Sequence, residues 1–401
     1  MILISTLQLY DEPATIEHVK SLAFNRNASS TGETEAVTYI EKELIENGMN
    51  PKIEYFDWTG PLRILMRTTY ILLLVYFILF RLFLVVIAYF IIKNMFEKIR
   101  QISFVKKEES KNIYTLIPAK EDIPNRPIVI MSAHYDSISA NLPYKLQVVI
   151  FFIYRLIVGF YALIFVAFTL IFILDFFDIV PFTNFVVVLI TFTSMAGVFI
   201  SIPIIYLVFA EKASSGSIDN ASGVGILIEL AKIIKKDPLE KMDILFLWTG
   251  AEEWGLKGST SFCRKHFISL IKKYNLNRSF NINLDMIGSY IGLLDKSGFI
   301  IRRKINENLN DVFEATAKHL NIPIVKYNKV IKPKSDYKAF KKYAKIAGKK
   351  FQVSLYHSSK DSKYIHSARD TPDKCTIENL NGCLNICHQS LRSIDLRMGK
   401  I

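Results

Sequence analysis

The chain has 401 residues, 51% of them hydrophobic, and a formal net charge of +13; its mean hydropathy is +0.25. That length fits two average domains or one large α/β domain with insertions. No nucleic-acid motif is visible and basic residues flank the apolar segments, so the charge speaks for a lipid surface and against nucleic acid as partner. Of the four cysteines, Cys383 and Cys387 precede His388 at a metal-like spacing but lack a matching second pair, which leaves them as ordinary helix thiols.

In chain order, residues 14–49 are expected to be helical. Ala36, Tyr39, Ile40, Leu44 and Ile45 recur at helical spacing, and Asn47-Gly48 ends the run. Lys52–Trp58 alternates like a strand. Residues 61–100 form a first apolar insert; its span Thr68–Ile92 is long enough for a bilayer of about 30 Å, yet a single crossing would split one sheet across the membrane. A short hairpin or a re-entrant segment is therefore expected there. Asn112–Pro118 and Pro127–Ser132 read as strands, the second running into His134.

Residues 141–212 form a second insert with two apolar spans, Leu156–Leu174 and Phe185–Phe209, separated by Asp175, Asp178 and Pro181. This pattern predicts a transmembrane hairpin. Arg63, Arg67, Lys93, Lys98, Arg100, Lys145 and Lys212 flank the apolar segments. By the positive-inside rule they put the remainder of a multi-pass integral membrane protein on the cytoplasmic side. Beyond Lys212 the pattern becomes α/β: helix Ser222–Lys235, strand Asp243–Thr249, helix Lys257–Phe267, strand Phe280–Met286, helix Lys304–Leu320, strand Phe351–Tyr356 and helix Thr376–Arg392. Alternation of this kind predicts a doubly wound, mixed and mostly parallel sheet with helices on both faces, interrupted by the transmembrane insertions. Residues 1–60, 101–140 and 213–401 are its three pieces.

Six chemistry-bearing residues end apolar runs: His134, Asp219, Glu252, Glu253, Asp285 and His366. In doubly wound sheets, chemistry lies beyond the carboxyl ends of strands, where His134, Glu252, Glu253 and Asp285 fall. Asp136, two residues past His134, is placed to hold that imidazole's other nitrogen. Asp219 sits in a tight turn before a helix, where a carboxylate can bridge two cations. Glu252 and Glu253 are adjacent and point apart, so one can ligate while the other stays free as a base. Zinc suits a mixed nitrogen and oxygen donor set, and two ions about 3.5–4 Å apart would both activate water and polarise a carbonyl.

The stretches SAHYDS, DNASGVG, TGAEEWGLKGS, NLDMIGS, SDYKAF and IHSARDTPDK, in that order, resemble the co-catalytic di-zinc peptidase family. It includes bacterial leucyl aminopeptidase, glutamate carboxypeptidase II, glutaminyl cyclases and the non-catalytic transferrin receptor ectodomain. RNASSTGETEAVTYIEKELIENG is similar to the family's N-terminal helix. The resemblance implies one Zn2+ held by His134, Asp219 and Asp285 and a second held by Asp219, Glu253 and His366. Glu252 would then be the general base and Asp136 the residue that orients His134; His357 is the rival for the last ligand position. The sequence thus leads to the expectation of a membrane-anchored zinc aminopeptidase acting on peptides, embedded in a lipid bilayer. The alternatives are a carboxypeptidase, a glutaminyl cyclase-like enzyme, or an inactive peptidase-fold receptor or scaffold.

Overall fold

The structure is a computed structural model; it describes residues 10–58, 108–140, 142–180, 183–189, 191, 192, 195, 199, 214–299, 301–330 and 333–397. The chain divides into two compact units. One comprises Met1–Trp58, Glu109–Ser139 and Lys212–Ile401, the other Thr59–Glu108 and Ala140–Glu211.

The first unit opens with α1 (Ala14–Ser21) and α2 (Thr31–Glu46). Leu22 to Ser30 separate them, so the stretch expected as one helical region is two helices. α2 starts where it does because the Ser30 hydroxyl accepts from Glu33 N while the Glu33 carboxylate accepts from Ser29 N, which satisfies free donors at the helix start. The strands are β1 (Lys52–Trp58), β2 (Glu108–Ile117), β3 (Ile128–His134), β4 (Asp243–Thr249), β5 (Phe280–Leu284), β6 (Gly292–Ser297), β7 (Arg303–Lys304), β8 (Val325–Lys329) and β9 (Gln352–Tyr356). They form one sheet in the order β1-β2-β4-β3-β5-β9-β6-β7, with β8 on β6. Its centre, β4-β3-β5-β9, is parallel, and β2 and β6 flank it antiparallel.

Both faces of that centre are covered, because every residue of β3, β4 and β5 is buried. Ile128 and Ile130 of β3 face a cluster with Phe262, Phe267 and Leu270 of α5 (Lys257–Lys273) and with Phe340 of α7 (Tyr337–Ile346). The alternate residues Val129 and Met131 point the other way. There α4 (Ser222–Lys236) packs on β3, β4 and β5, and it meets α1, α2 and the closing helix α8 (Ile377–Arg397). Another helix, α6 (Leu309–His319), packs on β9.

The transmembrane insertions are the part of the expected fold that fails. The first insert lies outside the described residues. In the second, α3 (Tyr144–Phe176) is a 33-residue helix and residues 184–189 are helical. A span needs about 20 consecutive apolar residues, and no helix among the described residues is long and apolar enough to cross a membrane. The multi-pass placement, the bilayer as partner and the cytoplasmic orientation fall with it, since charge bias orients a chain only through its spans.

Candidate metal centre

The register of the parallel strands builds the site. His134 lies opposite Thr249 at the ends of β3 and β4, and Leu284 lies opposite Tyr356 at the ends of β5 and β9. One carboxyl rim therefore presents His134, Asp285 just after β5, and the Glu252–Glu253 loop just after β4. Asp219 arrives from the turn Ser217–Ala221, which leads directly into α4. That turn crowds the rim: a Cβ on Gly216, whose φ is +59°, would meet Ser137 Cβ at 2.5 Å and the Arg26 guanidinium at 2.8 Å. His366 stands in the loop between β9 and α8 with φ +58°, a left-handed conformation that non-glycine residues rarely adopt.

All five expected ligand residues come together, in two groups that share Asp219. His134, Asp219 and Asp285 form one, and Asp219, Glu253 and His366 the other; within each, the donor atoms lie within 4.8 Å of one another. Asp219 faces both ways. Its Oδ1 is 3.1 Å from His134 Nε2 and its Oδ2 is 3.5 Å from His366 Nε2. His134 Nε2 is also 3.6 Å from Asp285 Oδ1, and His366 Nε2 is 3.1 Å from Glu253 Oε1.

Charge in this cluster is tightly balanced. Burial works against the charged forms of both histidines. Hydrogen bonds that Asp136, Asp219 and Asp285 accept from the ring nonetheless hold the His134 pKa well above the usual imidazole range, and Glu253 with Asp219 lifts His366 to about 10. Burial likewise disfavours the Asp219 anion, but the two imidazoles outweigh it and keep that carboxyl well below the ordinary carboxylate range. Burial raises Glu253 to about 7 and Glu252 well above its ordinary value.

These residues fit divalent cations. The donors are imidazole nitrogens and carboxylate oxygens, a set that suits zinc. Glu253 Oε1 is buried and accepts no hydrogen bond although His366 stands beside it, so one acceptor is left for a Lewis acid. With Asp136 and Glu252, five carboxylates surround two histidines, a surplus of negative charge that a cation would offset.

Asp136 holds more than His134. Its backbone carbonyl lies 3.1 Å from His134 Nδ1 and its Oδ1 3.6 Å away, while the carboxylate accepts from Glu252 N at 3.0 Å and Glu253 N at 3.2 Å. One side chain thereby fixes both the histidine and the glutamate pair. The Glu252 carboxylate makes no hydrogen bond among the described residues and is 7% exposed, so it lies beside the ligand groups without being tied to them.

Residue-type reasoning missed three supports. Asp370 accepts from Ile218 N at 2.6 Å and Asp219 N at 3.3 Å, and burial raises its pKa to about 6. Arg26, fully buried, donates to the carbonyls of Tyr135, Leu22, Phe24, Ser215 and Gly216. The Asn220 amide donates to Leu284 O, and its oxygen accepts from Gly223 N and Met286 N. All three stand inside the quoted motifs, so the signal was motif membership, with residue type giving no hint of the role.

A mixed sheet whose carboxyl rim carries two histidine–carboxylate groups joined through one aspartate defines a class by its geometry, the α/β folds with a paired candidate metal site. Residues 201–391 match the model of peptidase family M28. Aminopeptidase YwaD of Bacillus subtilis (strain 168) is 40% identical over 77 residues, which is 19% of this chain and 16% of that protein. The chain is also similar to a solved zinc aminopeptidase from Bacillus subtilis (TM-score 0.54, 13% identity, 98% of this chain and 96% of that one). The aminopeptidase from Aneurinibacillus sp. strain AM-1 is comparable (TM-score 0.54, 14% identity, 94% and 92%). So is an Acidobacteriales bacterium glutaminyl cyclase (TM-score 0.57, 14% identity, 99% of each chain). At those identities the solved structures speak for the fold alone.

Proposed function

We propose that this protein is a zinc-dependent exopeptidase that removes N-terminal residues from peptides, with two ions held in the paired site. The observation that carries the reading is Asp219 directing its two oxygens to two different histidines, each backed by a further carboxylate. His134, Asp219 and Asp285 would hold one ion, and Asp219, Glu253 and His366 the other. Bound there, zinc would act as a Lewis acid toward the scissile carbonyl and make water more acidic.

The protein groups supply the rest. Glu252 takes a proton from the water that attacks the scissile carbonyl and delivers it to the departing amine nitrogen. Its freedom from hydrogen bonds lets it serve both donor and acceptor in turn. Asp136 keeps Glu252 in place through the backbone and keeps His134 turned toward Asp219.

The test is metal content and peptide cleavage on wild type and Glu252→Gln. About two zinc ions per chain are expected in both. Cleavage should require a free N-terminal amine and fall roughly 10²–10⁴-fold in the variant. Equal activity in the two proteins would remove Glu252 from the mechanism, and equal cleavage of N-blocked peptides would remove the aminopeptidase assignment.

A further inference from the structure

A third histidine stands on the rim of the site. Leu284 of β5 lies opposite Tyr356 of β9, so the next residues, Asp285 and His357, are side by side in adjacent parallel strands. Asp285 N donates to Tyr356 O at 3.0 Å, which carries the pairing past the strand ends. Neighbours in register point to the same face of a sheet, with backbones about 4.8 Å apart. His357 therefore flanks the ligand Asp285.

Its ring is fixed from behind. His357 N donates to Gly292 O at 2.8 Å, and the Tyr327 hydroxyl of β8 lies 2.9 Å from His357 Nδ1. Among the described residues that phenol has no other hydrogen-bond partner, and when it donates to Nδ1 the ring's own proton sits on Nε2. His357 Nε2 has no partner among the described residues and is not among the fully buried unpaired atoms. Both ligand groups are complete without it.

We propose that His357 is a substrate-contacting residue whose Nε2–H donates to the carbonyl oxygen of the scissile bond. This rests on the exopeptidase reading above. When the water oxygen adds to the carbonyl carbon, the carbonyl π pair moves onto the carbonyl oxygen and the water proton passes to Glu252. A fixed donor gains strength as the charge develops, so its effect falls on kcat more than on KM. Tyr327 is a positioning residue, since it selects the tautomer.

The experiment compares wild type, His357→Ala, His357→Gln and Tyr327→Phe as zinc-loaded full-length chains. It reads zinc per chain, kcat and KM on aminoacyl p-nitroanilides, and binding of an aminophosphonic acid, whose tetrahedral oxygens imitate the developing charge. In His357→Ala, kcat should fall about 10²-fold, with KM changed less than about threefold, zinc unchanged and the phosphonate binding more weakly. His357→Gln, which keeps a donor, should recover part of kcat, and Tyr327→Phe should lie between it and wild type. Unchanged kcat and phosphonate affinity in His357→Ala would overturn the assignment, as would loss of one zinc equivalent, which would make His357 a ligand. A change in KM alone would overturn it too. A wild type that loads zinc but neither cleaves nor binds the phosphonate would instead defeat the exopeptidase reading, and this assignment with it.

Discussion

At the scale of single residues, the site is held by side chains that never face a substrate. Arg26 shows how much rests on one of them. Its guanidinium spends its donors on backbone carbonyls, Tyr135 on the His134 side and Ser215 and Gly216 on the Asp219 side. Burial pushes the cation's pKa down to about 10, a loss that nearby Asp370, Asp136 and Asp219 partly offset. Replacing Arg26 by Met keeps the aliphatic volume but leaves five carbonyls without their donor, those of Tyr135, Leu22 and Gly216 in buried hydrogen bonds. Each unmade bond costs about 1–3 kcal/mol, so a loss of roughly 3 kcal/mol or more is expected in denaturant titration. The zinc affinity of the Asp219 site should weaken in the same protein. A variant with wild-type stability and wild-type zinc binding would show that the two segments hold themselves in place. Residue type singled out the residues proposed as ligands, because histidines and carboxylates at the ends of apolar runs stand out from their surroundings. It could not announce Arg26, since an arginine in a polar loop has an exposed reading that is just as good until the loop is seen buried.

At the scale of elements, legibility followed apolar content. β1 and β4 begin and end where hydrophobic alternation and a buried run placed them, at Lys52–Trp58 and Asp243–Thr249. β6, β8 and α7 were not foreseen. In α7 Tyr337, Phe340 and Ala344 recur at helical spacing with Lys338, Lys341, Lys342 and Lys345 between them, a period that was there to be read, whereas β8 carries two lysines in five residues and offers none. α6 begins at Leu309 and not at Lys304, because Arg303–Lys304 pair with β6 as a short strand. The apolar insert misled for the opposite reason: its runs read as spans, yet no helix among the described residues is long and apolar enough to cross a membrane. How an element delivers a ligand can be tested at Gly223, in the first turn of α4. A Cβ there would meet Asn220 Oδ1 at 2.5 Å and the Leu284 carbonyl oxygen at 2.6 Å. Leu284 O is strand backbone and cannot swing away, so the start of α4 must move and take Asp219 with it. Gly223→Ala is expected to cost about 1–3 kcal/mol, in line with overpacking, and, with Asp219 as the proposed shared ligand, to lower zinc affinity at both proposed sites. If only stability changed, Asp219 would be positioned independently of α4.

At the scale of the whole molecule, the closing helix ties the end of the chain to its beginning and to the turn before β4. Asn385 meets Tyr10 in both directions, Asp395 accepts from Glu240 N and Lys241 N, and Arg392 donates to Pro238 O. His388 lies in the middle of this seam, edge-on to Tyr10 with ring centroids 5.5 Å apart, and its Nδ1 is buried without a hydrogen-bond partner. Burial, helped by the Arg392 cation and only partly offset by Asp237, pushes its pKa down to about 4. An unfolded histidine titrates near 6.5, so below that pH the unfolded chain takes up a proton that the folded chain refuses. The contribution of His388 is therefore fully present above pH ~6.5 and is lost progressively as pH falls toward about 4, where the folded state also protonates. The loss approaches about 3 kcal/mol over that window, at up to 1.4 kcal/mol per pH unit. Chemical denaturation from pH 7.5 to 4 should show this slope in wild type and a shallower one in His388→Gln, which keeps a polar side chain of similar reach and does not titrate. Identical slopes would mean that the seam opens before His388 is protonated, and that the acid sensitivity of the fold resides in the carboxylates of the metal centre.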